Sequence, residues 1–344
     1  MIDHIFSVEA DGTNPYYNLA EEEYLTQHVK AGECILFLWQ NRRSVVIGRN
    51  QNCWKECSVE KLEKDGGYLA RRLSGGGAVF HDLGNLNFTF MVRKEDYNLP
   101  RQMEVILTAV RSLGIPAEKN GRNDVTVYGR KFSGNAFYMT SKGCYHHGTI
   151  LLSADQSQMT RYLQVSLDKL ALKGVDSVTS RTVNLSEYDS GLTPEKMGEA
   201  LKSAFSAIYG RSLSPLSANR MNEEAIAVLQ KKFQSPSWKY DRKLPFNQEI
   251  SARFEWGDIL IRLYTVHGAV KSARVFSDAM DQNFILQLSS VFEKYQNDTA
   301  DLEMAVSHIQ TDDPRAGQMK NDLMHFLRER LQLTVIKEDF CGLL

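Results

Sequence analysis

No apolar run in this sequence reaches the roughly 18 residues that a membrane-spanning helix needs, so no membrane association is expected. The N-terminus, MIDHIFSVEADG, has no basic stretch followed by an apolar one, and therefore no secretion signal. Cysteine is scarce and odd in number: Cys34, Cys53, Cys57, Cys144 and Cys341, with no C-x-x-C pair. That excludes a disulfide framework and points to a reducing cytoplasm. Cys53 and Cys57 can open a metal site, but no further His or Cys cluster completes it at a usual spacing. Excess charge of one sign is missing too. Lys and Arg total 41 against 42 Asp and Glu, so the net charge of -1 gives no general affinity for nucleic acid or an anionic membrane. There is no internal repeat, no low-complexity tract, no G-x-x-x-x-G-K-[ST], no complete G-x-G-x-x-G and no H-E-x-x-H.

What is present suits a globular protein of more than one domain. The length of 344 residues exceeds what a single small core requires. Asn14-Pro15 is a cap and first-turn signal for a helix carrying Tyr17, Leu19, Ala20, Tyr24 and Leu25. ILFLW (35 to 39), SVVIGR (44 to 49), YLARRL, AVFHD, NLNFTFMV and CYHHGTILL read as strands. An amphipathic helix spans 101 to 113, and DVTVY with KFSGNAFYM reads as a hairpin turning at Gly129-Arg130. Thr193-Pro194 starts a helix to about Tyr209. Residues 211 to 250 are polar and proline-broken, a helical linker region. Beyond them come the strands ARFEW, DILIRLYTV and AVKSARVFS and two helices, at about 281 to 296 and 315 to 332. Strands and helices do not alternate regularly, so a doubly wound parallel sheet is not indicated. The expected fold class is α+β: a large mixed-sheet domain over 1–250 and a small α+β domain over 251–344.

The densest chemistry lies in RRLSGGGAVFHDLGN, residues 71 to 85. Three glycines allow close backbone approach and aim N–H groups at an anion, and Arg72 adds a permanent forked cation. A lone glycine triplet is otherwise a turn. Arg72, Ser74, His81, Asp82 and Asn85 in one short stretch favour a site for a carboxylate or phosphate. In GRNDVTVYGRKFSGNAF (121 to 137), a regular strand puts Lys131, Ser133 and Asn135 on one face. A lysine there can stabilise charge developing on phosphorus, and Asp124 can hold magnesium; the alternative is a solvated edge. His146 and His147 are adjacent on a strand, so only one can face a site. DKLALKGVDSVTSRTVNL (168 to 185) suits a loop that orders over a nucleotide.

Together these stretches, with FLWQNRRSVVIGRNQNCWKEC (37 to 57), YHHGTILL (145 to 152) and VHGAVKSARVFSDAM (266 to 280), strongly resemble the lipoate–protein ligase A family. They keep the family's order and approximate spacing over nearly the whole chain. The resemblance implies a catalytic domain of the biotin/lipoate ligase type. It implies a two-step reaction: lipoate and Mg2+-ATP give lipoyl-AMP and pyrophosphate, and the lipoyl group then passes to a specific lysine. The partners it implies are lipoyl domains of 2-oxoacid dehydrogenase E2 subunits and the glycine cleavage H protein, served by a cytoplasmic monomer. It assigns Arg72, Ser74, Gly75, Gly76, Gly77 and His147 to lipoate. It assigns Val79, Phe80, Asn85, Asp124, Lys131, Ala171, Gly174 and Val175 to ATP. It makes Lys131 the match for the family's essential lysine and Asp124 the candidate magnesium ligand. Tyr138 stands where some members place an arginine in the lipoate pocket.

Three rivals are weaker. An octanoyltransferase passes an acyl group through a cysteine without ATP, and Cys144 is the residue to propose for it. The nucleotide-side motifs and the C-terminal domain speak against that reading. A biotin ligase would carry a different glycine/arginine loop. A non-catalytic binder of lipoyl domains would not need Lys131 or the glycines.

Overall fold

The computed structural model of the chain describes residues 1–121, 123–164, 181–240, 245–267, 269–293, 299–309 and 314–341. It divides into two compact units. One comprises Met1–Ile47, Cys53–Leu73 and Ala78–Tyr240; the other comprises Gly48–Asn52, Ser74–Gly77 and Asp241–Leu344.

The larger unit is built on strands β1 (His4–Glu9), β2 (Glu33–Trp39), β3 (Ser44–Ile47), β4 (Tyr68–Arg71), β5 (Val79–His81), β6 (Asn85–Val92), β7 (Ala117–Asn120), β8 (Asp124–Val127), β9 (Arg130–Met139), β10 (Cys144–Leu151) and β11 (Leu213–Pro215). Eight of them form one mixed sheet in the order β11-β1-β2-β6-β10-β9-β8-β7. β1 runs parallel to both β11 and β2, and the other neighbours are antiparallel. The remaining three make a small sheet, β4-β3-β5.

Helix α1 (Pro15–His28) starts as its sequence indicates, with Asn14 Oδ1 accepting from the Tyr16 amide at 3.0 Å. Helices α2 (Leu99–Ser112), α3 (Pro194–Tyr209) and α4 (Glu223–Gln234) complete the layers. Gly210, in the left-handed region at φ 60°, closes α3. α2 and α3 cover one face of the large sheet, burying Leu36, Phe88 and Phe90 against Val105, Ile106 and Phe205. α1 and α4 contribute to the core on the other face, where Phe37, Trp39 and Met91 meet Tyr16, Leu19 and Phe233. β6 shows why the faces differ. In NLNFTFMV, Leu86, Phe88, Phe90 and Val92 join the α2/α3 core, while Asn85, Asn87 and Thr89 alternate onto the α1 side. Burying three polar side chains costs free energy unless each finds a partner, which marks that face as more than packing.

The β8–β9 hairpin turns at Tyr128-Gly129, one residue earlier than the sequence indicates, with φ of 49° and 78°. A helix at Gln156–Tyr162, with Asp155 capping it, was not legible in the sequence.

The smaller unit has an antiparallel sheet of β12 (Gln248–Phe254), β13 (Gly257–Val266) and β14 (Ala269–Ser277). Helices α5 (Gln282–Phe292), α6 (Thr299–Ser307) and α7 (Pro314–Cys341) join it. Ile259, Leu263, Phe284, Leu288, Leu302 and Leu323 share its core. Of these helices the sequence indicates α5 and α7; α6 was missed. The architecture is α+β throughout, as expected.

Candidate functional site

The two arginines of the RR pair do different work. Arg71 is spent on structure: Nε donates to Trp238 O at 2.8 Å and Nη2 to Lys239 O at 2.9 Å. Arg72 is 5% exposed and sends Nη1 to Val46 O at 3.0 Å. Burial draws its guanidinium down to about 10, while the Tyr145 hydroxyl and the Glu22 carboxylate work the other way.

Glu22 organises the polar face of the sheet. Its Oε1 accepts from His147 Nδ1 at 2.8 Å and from Thr89 Oγ1 at 2.7 Å. Thr89 in turn accepts from Trp39 Nε1 at 3.0 Å. The carboxylate can only accept, so His147 carries its proton on Nδ1. Thr89 lies opposite His147 and Phe37 in the ladder, and Asn87 opposite Thr149 and Trp39, so these side chains share one face. Tyr145 stacks obliquely on His147 with ring centroids 4.7 Å apart, and Tyr138 lies 5.2 Å from Tyr145.

Beside them, Asn41 Oδ1 accepts from Asn18 at 3.0 Å and presents its NH2 to His81 Nδ1 at 3.1 Å. His81 is thus an acceptor at Nδ1 and protonated at Nε2. Burial, with Arg72 and His147 nearby, holds it down to about 3, so it stays neutral at neutral pH. His81 Nε2, Asn85 Oδ1 and Asn87 Nδ2 are buried and find no hydrogen-bond partner among the described residues. Such atoms cost about 1–3 kcal/mol each and are retained where a ligand completes them.

Lys131 departs from the sequence expectation. A bulge pairs Val125 with Ser133 but Thr126 with Lys131, which breaks the alternation. Ser133 and Asn135 turn to the α2/α3 face, where Asn135 Oδ1 meets His146 Nε2 at 2.8 Å. Lys131 folds over Gly134 instead. A Cβ on Gly134 would stand 2.8 Å from Lys131 Nζ, so a side chain there would push the end of the lysine aside. Gly134 N–H also donates to Thr149 Oγ1, on the His147 face. Lys131 Nζ lies 2.7 Å from Asp124 Oδ1, and Arg181 pairs with Asp124 Oδ2.

The other expected residues divide. Val79 packs with the Trp39 cluster, whereas Phe80 points the opposite way into the Val45, Ile47 and Tyr162 core. Ala171, Gly174 and Val175 lie outside the described residues. Ser74 to Gly77 belong to the smaller unit. There Gly76 takes φ 86° and its N–H donates to Ala279 O at 3.2 Å, while a Cβ on Gly75 would stand 2.4 Å from that same oxygen. Cys144 is fully buried on the His146 side of β10, and burial pushes its thiol up. Among the described residues no group of three or more His, Cys, Asp or Glu converges as a metal cage. Magnesium does not need one, because it keeps several waters and takes one or two carboxylates plus substrate phosphates. Asp124, the carboxylate expected from the sequence, has Lys131 on one oxygen and Arg181 on the other, so one of them must yield before it could hold the ion.

Residues 14–206 match the lipoyl protein ligase A/B catalytic domain, and residues 243–327 match the bacterial lipoate protein ligase C-terminus. The chain belongs to the lipoyl protein ligase A/B family. A curated relative, lipoate-protein ligase A of Psychrobacter cryohalolentis, is 35% identical over 325 residues, covering 92% of this chain and 95% of that one. Among solved structures, P. falciparum LipL1 in complex with lipoate is 28% identical with a TM-score of 0.81, covering 94% of this chain and 99% of its own. The bipartite lipoate protein ligase of Thermoplasma acidophilum, studied with its E2 lipoyl domain, is 26% identical with a TM-score of 0.61, covering 71% and 99%. Of the residues expected from the sequence, Arg72 is held by Val46 O, Lys131 by Asp124 and His147 by Glu22. Glu22, Thr89, Trp39, Asn41 and Arg181 are not in the set read from sequence. Glu22 was hidden because Glu21-Glu22-Glu23 in mid-helix looks like a solvated stripe, yet α1 buries all three.

Proposed function

We propose that the protein is an ATP-dependent lipoate–protein ligase. It activates lipoate to lipoyl-AMP with release of pyrophosphate, and then transfers the lipoyl group to a lysine of lipoyl domains. The observation that carries this reading is Lys131, seated on Asp124 beside Arg181 on the polar side of the sheet, in a chain with a lipoate-protein ligase relative over nearly its whole length. Adenylation brings a carboxylate and a triphosphate together, and fixed cations must offset their repulsion. Lys131 contacts the α-phosphate and the acyl oxygen. Arg72, Ser74, Gly75, Gly76, Gly77 and His147 hold lipoate. Val79, Asn85, Ala171, Gly174 and Val175 serve the nucleotide, with Phe80 supporting Val79 from the core side. Asp124 holds magnesium, which supplies charge neutralisation on the phosphates. Tyr138 adjusts acyl placement.

The transfer step uses a lysine amine of the acceptor as nucleophile, and its acceptors are E2 lipoyl domains and the glycine cleavage H protein. The lipoate complex of LipL1 supports the substrate, and the Thermoplasma ligase studied with its E2 lipoyl domain supports the acceptor class. The protein acts as a cytoplasmic monomer. The buried thiols of Cys34, Cys53, Cys57 and Cys144, none of them in a disulfide, fit a reducing compartment, and among the described residues no helix is long and apolar enough to cross a membrane. A covalent route through Cys144 is disfavoured, because its thiol is buried away from the His147 face.

The test is the intact mass of E2 lipoyl domain and H protein, incubated separately with the enzyme, lipoate, ATP and magnesium. A lipoyl mass gain that needs ATP supports the ligase and identifies its carrier. Pyrophosphate release without mass gain limits the protein to adenylation. The absence of both signals would overturn the proposal. Lys131→Ala is expected to abolish pyrophosphate release.

A further inference from the structure

Asp124 is held by more positive charge than an ordinary ion pair requires. Lys131 Nζ takes one carboxylate oxygen at 2.7 Å and Arg181 takes the other. The three side chains are 23%, 29% and 14% exposed, in the order Lys131, Arg181, Asp124. Among the described residues, two cations against one carboxylate leave an excess of one positive charge in a partly desolvated corner. A structural role for Asp124 needs one cation. A second cation, repelled by the first, is explained by an anion that arrives.

The backbone fixes the pair of cations as neighbours. Thr182 bridges to Lys131 in parallel register, and Val183 N–H donates to Lys131 O at 2.9 Å. Arg130 Nη2 donates to Thr182 O at 2.9 Å and its Nη1 to Glu187 at 2.9 Å, which anchors the same segment from outside. Arg181 therefore leaves the chain one residue from a point pinned to Lys131. Its guanidinium is a planar fork, the geometry that grips two phosphate oxygens at once.

We infer that Arg181 is a second phosphate-binding cation, on the leaving-group side of the nucleotide, parked on Asp124 until a triphosphate takes it over. This rests on the ligase reading above. In adenylation a lipoate carboxylate oxygen forms a bond to the α-phosphorus, and the bond from that phosphorus to the bridging oxygen breaks. The bridging oxygen leaves with the electron pair as part of pyrophosphate. Lys131 serves the α-phosphate, and Arg181 binds the β- and γ-oxygens on which that charge appears. Asp124 is the positioning residue for both.

The experiment compares wild type, Arg181→Ala and Arg181→Lys in two assays. One is calorimetric titration with α,β-methylene-ATP and magnesium, which reads binding without chemistry. The other is lipoate-dependent exchange between ATP and pyrophosphate. Arg181→Ala is expected to weaken analogue binding by roughly ten- to hundredfold and to raise the KM for pyrophosphate comparably, from the usual worth of a charged hydrogen bond. Arg181→Lys should recover part of the binding, and transfer from preformed lipoyl-adenylate should fall far less than exchange. Unchanged analogue affinity in Arg181→Ala overturns the inference. So does a uniform loss of every activity together with a lowered melting temperature, since that is the signature of a structural tether. Wild type without exchange would sink the ligase reading instead; the titration would still decide whether Arg181 holds a triphosphate.

Discussion

Replacing Glu22 with alanine removes the acceptor for two buried donors, and the cost can be worked from the contacts. Glu22 is 1% exposed, and His147 Nδ1–H and Thr89 Oγ1–H both end on its Oε1, at 2.8 and 2.7 Å. A buried donor left without a partner costs about 1–3 kcal/mol, so two give roughly 2–6 kcal/mol. That is a large share of the roughly 5–15 kcal/mol that holds a typical domain together. Glu22→Gln can keep an acceptor oxygen at the same place while losing the charge and exchanging the other oxygen for an NH2, so about 1–2 kcal/mol is expected. Urea unfolding at pH 7 followed by circular dichroism measures both, provided the denaturant slope is unchanged. A loss below about 1 kcal/mol for alanine, or a glutamine variant as weak as alanine, would refute the reasoning. Either result would mean that the two donors find another acceptor. Because His147 is assigned to lipoate, Glu22→Gln should also raise the KM for lipoate more than that for ATP.

Other outcomes follow from the same contacts. Cys144→Ser should retain acyl transfer, since the thiol is buried on the His146 side; intact mass of the acceptor domain checks this, and lost transfer with intact adenylation would restore the covalent route. Gly75→Ala puts a methyl 2.4 Å from Ala279 O and 2.6 Å from Met280 O, so thermal unfolding should show a loss of about 1–3 kcal/mol, whereas Gly77→Ala, with open space around it, should stay within about 0.5 kcal/mol. Stability should fall on acidification below about pH 6.5. His81 and His146 are held down to about 3, chiefly by burial, so the unfolded chain takes up protons there that the folded one refuses. Each histidine should cost about 1.4 kcal/mol by pH 5.5, and stability that rises as pH drops from 6.5 to 5.5 would contradict this. Burial pushes Glu21 up to about 7, which works in the opposite sense because its folded carboxyl keeps a proton that the unfolded one has lost; Glu21→Gln should therefore steepen the acid loss.

Much of this protein was legible because it is local. Asn14 and Thr193 cap their helices through side-chain contacts two and three residues away, and Gly210 ends α3 in a conformation glycine adopts freely. The alternation of NLNFTFMV is visible by eye and becomes the two faces of β6. The order of the motifs sufficed for family membership. The rest needed the third dimension. Glu22 meets His147 across 125 residues, so no window of sequence reveals that one glutamate of three is a buried acceptor. Arg71 and Arg72 are identical letters with different partners. The bulge that turns Lys131 away from Ser133 depends on the register of β8 against β9, which a period-two reading cannot foresee. Sequence alone thus determined the elements and the chemistry available, since both depend on neighbours along the chain. Tertiary structure decided which polar groups are paired, which are left open, and which two cations share one carboxylate, because burial and partnership are settled only when distant segments pack.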